Sequence, residues 1–214
     1  IVQNQLSLVS VGTERSLAEF GKSNLLGKAI QQPEKVRDVL DKFQADGVLG
    51  TLEAVKRKMT MPIPMGYSTV GIVVSVGEDV HGFSVGQRVI TNGPHSEMVS
   101  VPSSLCAHVP DNVCDDDAVF TVIASVALQG IRLVAPTFGE TVGVFGLGLI
   151  GLLTVQLLRA NGCQVLGFDY DSSRVKLAEK FGAVGIDLSV TDDLEARVLN
   201  ETRNVGLDAA IIAT

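Results

Sequence analysis

One stretch constrains this chain more than any other. Thr141-Val142-Gly143-Val144-Phe145 runs into Gly146-Leu147-Gly148-Leu149-Ile150-Gly151 and on into an apolar segment ending at Ala160. The first run reads as a short buried strand and the last as a helix, closed by Gly162. In a chain with 22 glycines a G-x-G-x-x-G pattern alone is weak. Between a strand and a helix, each glycine acquires a distinct role. Gly146 permits a tight turn, Gly148 lets a ligand approach the backbone, and Gly151 lets helix and strand pack closely. The same alternation continues downstream. Gln164–Phe168, Ala183–Ile186 and Ala209–Ala213 read as strands; Ser172–Phe181, capped by Asp171, and Leu194–Thr202 read as helices. Strands and helices alternating through short loops imply an α/β fold with a parallel, doubly wound sheet of Rossmann type.

A helix N-terminus offers unpaired N–H groups and partial positive charge to phosphates. Gly146, Gly148, Leu149, Ile150 and Gly151 are therefore expected to cradle the pyrophosphate of a dinucleotide. The fingerprint asks for an acidic residue about 20 positions further, ending the next strand; Asp169 stands there. Its carboxylate can accept the ribose hydroxyls of NAD and would repel the 2′-phosphate of NADP. Arg174 lies close enough to leave NADP open. Thr214, ending the fourth strand, is expected at the same carboxyl edge of the sheet, where ligands of such sheets bind.

The N-terminal part has another texture. Gln5–Val11 reads as a strand that turns at Gly12, and residues 14–60 as helical, with Ser16 capping a short run. After Pro33, the side chains of Val36, Val39, Leu40 and Phe43 share one helix face, and Gly47 ends it. Thr51–Met59 repeats the pattern with a basic end, Lys56-Arg57-Lys58, read as a solvated terminus complementing the helix dipole. Residues 66–110 carry short β-branched runs punctuated by Gly71, Gly77, Gly82, Gly86 and Gly93, the pattern of a small antiparallel barrel or sandwich. Residues 115–135 read as one helix ending near Pro136. The chain opens and closes inside strands, so it is expected to be the middle of a longer protein. Two domains are expected: 1–135, with a helical insertion over about 15–60, and 136–214, each incomplete at its outer end.

Composition narrows the partners. A net charge of −7 argues against nucleic acid and anionic membranes. Cys106, Cys114 and Cys163 are odd in number and widely spaced, which points to reduced thiols in a reducing, cytoplasmic compartment. No signal peptide or membrane span is legible.

Two further segments carry a resemblance. Gly66-Tyr67-Ser68-Thr69-Val70-Gly71-Ile72-Val73-Val74-Ser75-Val76-Gly77 resembles the G-H-E-x-x-G-x-V-x-x-V-G segment of medium-chain, alcohol dehydrogenase-like enzymes. Val76-Gly77-Glu78-Asp79-Val80-His81-Gly82-Phe83-Ser84-Val85-Gly86-Gln87-Arg88-Val89 is similar to their V-G-x-x-V-x-x-F-x-x-G-D-R-V. With the glycine motif, the resemblance covers most of the chain and implies a GroES-like β-barrel domain followed by the Rossmann domain. It implies an NAD(P)-dependent oxidoreductase acting on a small alcohol or carbonyl. The segment Val11 to Ser68 and Ala127-Leu128-Gln129-Gly130-Ile131-Arg132 look similar to the head of bi-domain oxidoreductases, which points to sugar derivatives as substrates. A homodimer through a sheet edge beyond Thr214 is the assembly the resemblance suggests.

The departures from the family pattern concern its catalytic zinc. The family's Cys-Gly-Thr-Asp stands here as Val11-Gly12-Thr13-Glu14, its Gly-His-Glu as Gly66-Tyr67-Ser68, and its third ligand falls near Val122. Valine cannot bind a metal, and catalytic zinc needs three N, S or O protein ligands. The family's four-cysteine lobe is also missing, so no zinc is expected. His81, His95 and His108 read as surface or loop residues. Thr13 then matches the family's proton-relay hydroxyl, and Tyr67 occupies the slot of a metal-binding histidine. Tyr67 is expected either to act as an acid toward a reacting oxygen or to fill the vacated metal pocket. Glu14 and Arg15 beside the same turn read as an ion pair. Two functions stand: a zinc-free oxidoreductase, and a non-catalytic dinucleotide-binding module or sensor.

Overall fold

The computed structural model describes residues 1–22 and 64–214. The helices expected over 34–43 and 51–59, with the basic end Lys56-Arg57-Lys58, lie outside the described residues. The chain divides into two compact units, Ile1–His108 and Val109–Thr214.

The first unit contains β1 (Val2–Ser7), α1 (Val11–Lys22), β2 (Thr69–Val73), β3 (Arg88–Thr91), β4 (Met98–Val99) and β5 (Cys106–His108). Its strands form one antiparallel sheet in the order β4-β1-β2-β3-β5. Val2, Val73, Val89 and Val99 make a core on one side, joined by Val76, Phe83 and Val101 from the turns. Gly71 is required where β1 crosses closest to β2, since a Cβ there would lie 2.3 Å from the carbonyl oxygen of Gln3.

Three expectations are corrected at the start of this unit. The first strand ends at Ser7, not Val11, and Gly12 lies in a helix and not in a turn. The amide of Glu14 donates to the Ser10 carbonyl at 2.9 Å, while its carboxylate takes the Ser10 amide at 2.9 Å. The first helical bond is thus joined by a side-chain cap on the Ser10 amide, which favours a helix over the strand preference of Val9 and Val11. Ser16 donates to the Gly12 carbonyl within the helix and does not cap it.

The second unit opens with α2 (Asp115–Ala118) and α3 (Thr121–Val134). There follow β6 (Thr141–Phe145), α4 (Leu149–Ala160), β7 (Gln164–Asp169), α5 (Ser172–Lys180), β8 (Val184–Asp187), α6 (Leu194–Glu201) and β9 (Ala209–Ile212). The four strands are parallel in the order β8-β7-β6-β9. Chain order reverses between β6 and β9, the switch point where open α/β sheets bind ligands. One face packs against α3, α4 and α5 through Ile131, Val142, Val144, Val155, Leu158 and Val175. The other face meets α6 through Phe145, Phe168, Ile186 and Val198, with the Phe145 and Phe168 rings stacked at 4.2 Å.

The helix expected over 115–135 is divided. Phe120 donates to the carbonyl of Asp117 three residues back, and this tighter turn separates α2 from α3. Ala135 ends α3 in the left-handed conformation, φ +50°, directly before Pro136, whose ring disfavours a helical residue ahead of it. By packing, α3 lies with α4 and β9, inside the compact unit Val109–Thr214. Among the described residues no helix is long and apolar enough to cross a membrane.

Candidate functional site

The glycine loop of the second unit divides its labour visibly. Gly146 has φ +90°, and a Cβ there would lie 2.9 Å from Thr214 Cγ2 and 3.0 Å from the Ala213 carbonyl oxygen. A Cβ on Gly151 would lie 1.9 Å from the Gly146 carbonyl oxygen, so the first turn of α4 leaves no room there for any side chain. At Gly148 a Cβ would meet nothing within 4 Å. The outer two glycines are demanded by the protein itself, while the middle one faces open space. Gly148 caps α4 without a side-chain hydrogen bond, which leaves the first-turn amides of Leu149, Ile150 and Gly151 without helical acceptors. A bare backbone rim bearing free donors fits a pyrophosphate.

Asp169 ends β7 beside this loop and is largely buried, its side chain 11% exposed. Its Oδ2 accepts the Leu147 amide at 2.7 Å and its Oδ1 the Asp171 amide at 2.9 Å. It therefore ties the glycine loop to the end of β7 while each oxygen keeps a lone pair. Arg174 lies half-exposed between two carboxylates, 3.7 Å from Asp169 and 3.7 Å from Asp171. Hydrogen bonds from the Ser173 hydroxyl and amide hold the Asp171 carboxyl below the ordinary range, and Ser172 and Ser189 do the same for Asp187. Thr214 lies next to Gly146, so the expected cofactor residues of this unit meet at one end of one sheet.

In the first unit the hydroxyl of Tyr67, half-buried, donates to Thr13 Oγ1 at 3.4 Å. Ser10 donates to the same oxygen at 3.3 Å. Thr13, exposed in the first turn of α1, accepts twice and keeps its own hydrogen for another acceptor. Two expectations are corrected here. Arg15 pairs with Glu19 at 2.8 Å, not with Glu14. His95 is not a bare loop residue: its Nε2 lies 3.1 and 3.2 Å from the two carboxylate oxygens of Glu14, which is itself buried. His108 stacks on Phe83 and bonds the Gly82 carbonyl. Glu14 and His95 are the polar pair that sequence reasoning passed over. They stand 81 residues apart, and no local pattern links them.

The residues aligned with the family's metal ligands offer a metal little. Val11 presents only hydrocarbon, and Tyr67 is engaged with Thr13. Among the described residues no three His, Cys, Asp or Glu side chains gather as a metal would require. Neither Val11 nor Tyr67 is one of the nitrogen or sulfur donors that catalytic zinc usually takes.

Residues 37–139 match the alcohol dehydrogenase GroES-like domain family. The (R,R)-butanediol dehydrogenase of Bacillus subtilis (strain 168) is 31% identical over 183 residues, 72% of this chain and 53% of that protein. The solved structure of 2R,3R-butanediol dehydrogenase from Bacillus subtilis superposes with a TM-score of 0.63 over 72% of this chain and 52% of its own, at 28% identity. The chain belongs to the medium-chain, alcohol dehydrogenase-like superfamily. Within it, D-guloside 3-dehydrogenase of Escherichia coli (strain K12) is 30% identical over 151 residues, 69% of this chain and 43% of that protein. A mycobacterial protein solved in complex with NADPH is 31% identical and superposes with a TM-score of 0.59, covering 68% of this chain and 48% of its own. The chain thus spans about half the length of the curated relatives it matches.

Proposed function

We propose that this chain forms part of an NAD(P)-dependent oxidoreductase. It transfers hydride between nicotinamide and a small alcohol or carbonyl, with sugar derivatives among the candidates, and uses no catalytic zinc. The observation that carries this reading is the asymmetry of the glycine loop: side chains are excluded at Gly146 and Gly151 by the protein, and at Gly148 by nothing in the protein. An open glycine over free helix amides is best explained by a ligand that comes against the backbone. The sugar reading draws support from the likeness to D-guloside 3-dehydrogenase.

In this reading Gly146, Gly148, Leu149, Ile150 and Gly151 hold the pyrophosphate, with Thr214 beside them. Asp169 accepts from the adenosine ribose, which favours NAD. Arg174 softens that preference, since it is half-exposed and can turn its guanidinium toward a 2′-phosphate. The bound cofactor supplies the hydride acceptor or donor. The protein's own part is to hold the reacting oxygen and move its proton. Thr13 donates the hydrogen left free by its two accepted bonds, and Tyr67 behind it stabilises or supplies that proton. Aligned hydroxyl donors stabilise a developing alkoxide in the absence of a metal.

The test is to incubate the full-length protein with NAD or NADP and a panel of diols, polyols and sugar derivatives, following reduced nicotinamide by absorbance, alongside elemental analysis. Turnover with zinc far below one per chain supports the proposal. Tight dinucleotide binding without turnover on any substrate moves the chain to a non-catalytic binding module. Stoichiometric zinc that survives dialysis restores a metal mechanism.

A further inference from the structure

The hydroxyl pair rests on a scaffold that neither motif accounts for. The Glu14 carboxylate, buried under the start of α1, accepts the Ser10 amide at 2.9 Å and faces His95 Nε2 through both oxygens. A carboxylate only accepts, so Nε2 carries the hydrogen of this contact. The other ring nitrogen, Nδ1, is buried and has no hydrogen-bond partner among the described residues. It lies against Gly66, where φ is +87° and a Cβ would come within 2.6 Å of Nδ1. The amide of His95 donates to the Met65 carbonyl at 2.7 Å. His95 therefore touches both segments that carry the hydroxyls. Through Glu14 it holds the first turn of α1 and with it Thr13; through Met65 and Gly66 it seats the segment that presents Tyr67.

We infer that Glu14 and His95 form a positioning dyad that sets the Thr13–Tyr67 hydroxyl pair in register. The dyad touches no reacting atom; it acts through the two segments it joins. A buried imidazole that leaves one nitrogen unsatisfied costs stability, and here that cost coincides with a glycine that admits no side chain against the ring. Both fit a group retained for its geometry. The catalytic consequence rests on the oxidoreductase reading above, whereas the structural linkage does not.

The test compares His95→Leu, which removes the donor at similar volume, with His95→Gln, whose amide can still donate to Glu14, in the full-length protein. Hydrogen exchange is read at the Ser10 amide and over residues 65–67, with β2 and β3 as internal references. His95→Leu is expected to speed exchange at Ser10 by about tenfold or more, as opening of a tied helix end does, and to leave the references unchanged. His95→Gln is expected to restore most of the protection. On a substrate identified as above, His95→Leu is expected to lower kcat about tenfold, the scale for a misplaced reacting group, with dinucleotide Kd unchanged and His95→Gln largely rescuing kcat. Should His95→Leu not fold, His95→Asn, whose shorter amide does not reach Glu14, replaces it, with the same direction expected in exchange and kcat. Unchanged Ser10 exchange, or equal losses in the leucine and glutamine variants, overturns the dyad. If the wild type turns over no substrate, the oxidoreductase reading fails while the exchange arm still decides the dyad.

Discussion

The glycine loop and the hydroxyl pair were both identified from sequence, yet they are built in opposite ways. The loop is one short stretch of chain: Gly146 and Gly151 are demanded by close approach of backbone, Gly151 against the Gly146 carbonyl and Gly146 against the Ala213 carbonyl, at the carboxyl edge of one sheet. Its shape is rigid because close backbone approach leaves no alternative. The hydroxyl pair is assembled from distant segments, Ser10 to Glu14, Met65 to Tyr67 and His95, and side-chain hydrogen bonds hold it together. The difference teaches where each is vulnerable. Backbone exclusion fails all at once when a side chain is added, whereas a side-chain network loses geometry by degrees.

The largest effect expected within that contrast is at Gly151. Gly151→Ala drives a methyl to within 1.9 Å of the Gly146 carbonyl oxygen, which cannot yield without opening the turn. It is expected to cost about 3 kcal/mol or more in stability, the upper range for overpacking, and to abolish dinucleotide binding. Thermal denaturation with calorimetric titration checks it, and a stable variant that binds normally would break the loop assignment.

Tyr67→Phe probes the other region. It removes the hydroxyl 3.4 Å from Thr13 and leaves the ring. Turnover is expected to fall about 10²-fold, the scale of a lost positioned acid or donor, with NAD affinity unchanged. Full turnover in this variant would make Tyr67 a space-filling ring.

Gly148→Val separates ligand from fold within the loop. With no atom beyond its chain neighbours within 4 Å of the new Cβ, the melting temperature is expected to fall only slightly, by the poorer helix cap that valine makes. Dinucleotide affinity is expected to fall by about 2 kcal/mol, because the added side chain occupies the phosphates' approach. Unchanged affinity by calorimetric titration would refute the pyrophosphate site.

Asp169→Ser is the smallest of the four. It removes the carboxylate that serves Leu147 and is proposed to serve the ribose. The NAD to NADP affinity ratio is expected to shift toward NADP by about tenfold, the equivalent of about 1.4 kcal/mol and one charge-assisted hydrogen bond. Equal affinities for both dinucleotides in the wild type would reject the preference.

The sequence by itself determined what depends on neighbours along the chain. The strand–glycine–helix junction, the alternation that makes the parallel sheet, and the cap at Asp171 all follow from residues within a few positions of each other, because turns, caps and periodic burial are short-range physics. The helix start at Val11 is equally local but reads as strand, since Val9 and Val11 favour one until the Ser10–Glu14 cap is counted. Other features were decided only by the tertiary structure. Asp169 bonds the glycine loop because parallel pairing lays the ends of β6 and β7 side by side. The Glu14–His95 pair exists because the loop before β4 brings residue 95 over the first turn of α1. Gly66 is needed there because the His95 ring lies on it. Such contacts join residues tens of positions apart, and their partners carry no periodicity or motif that could announce them before the chain is folded.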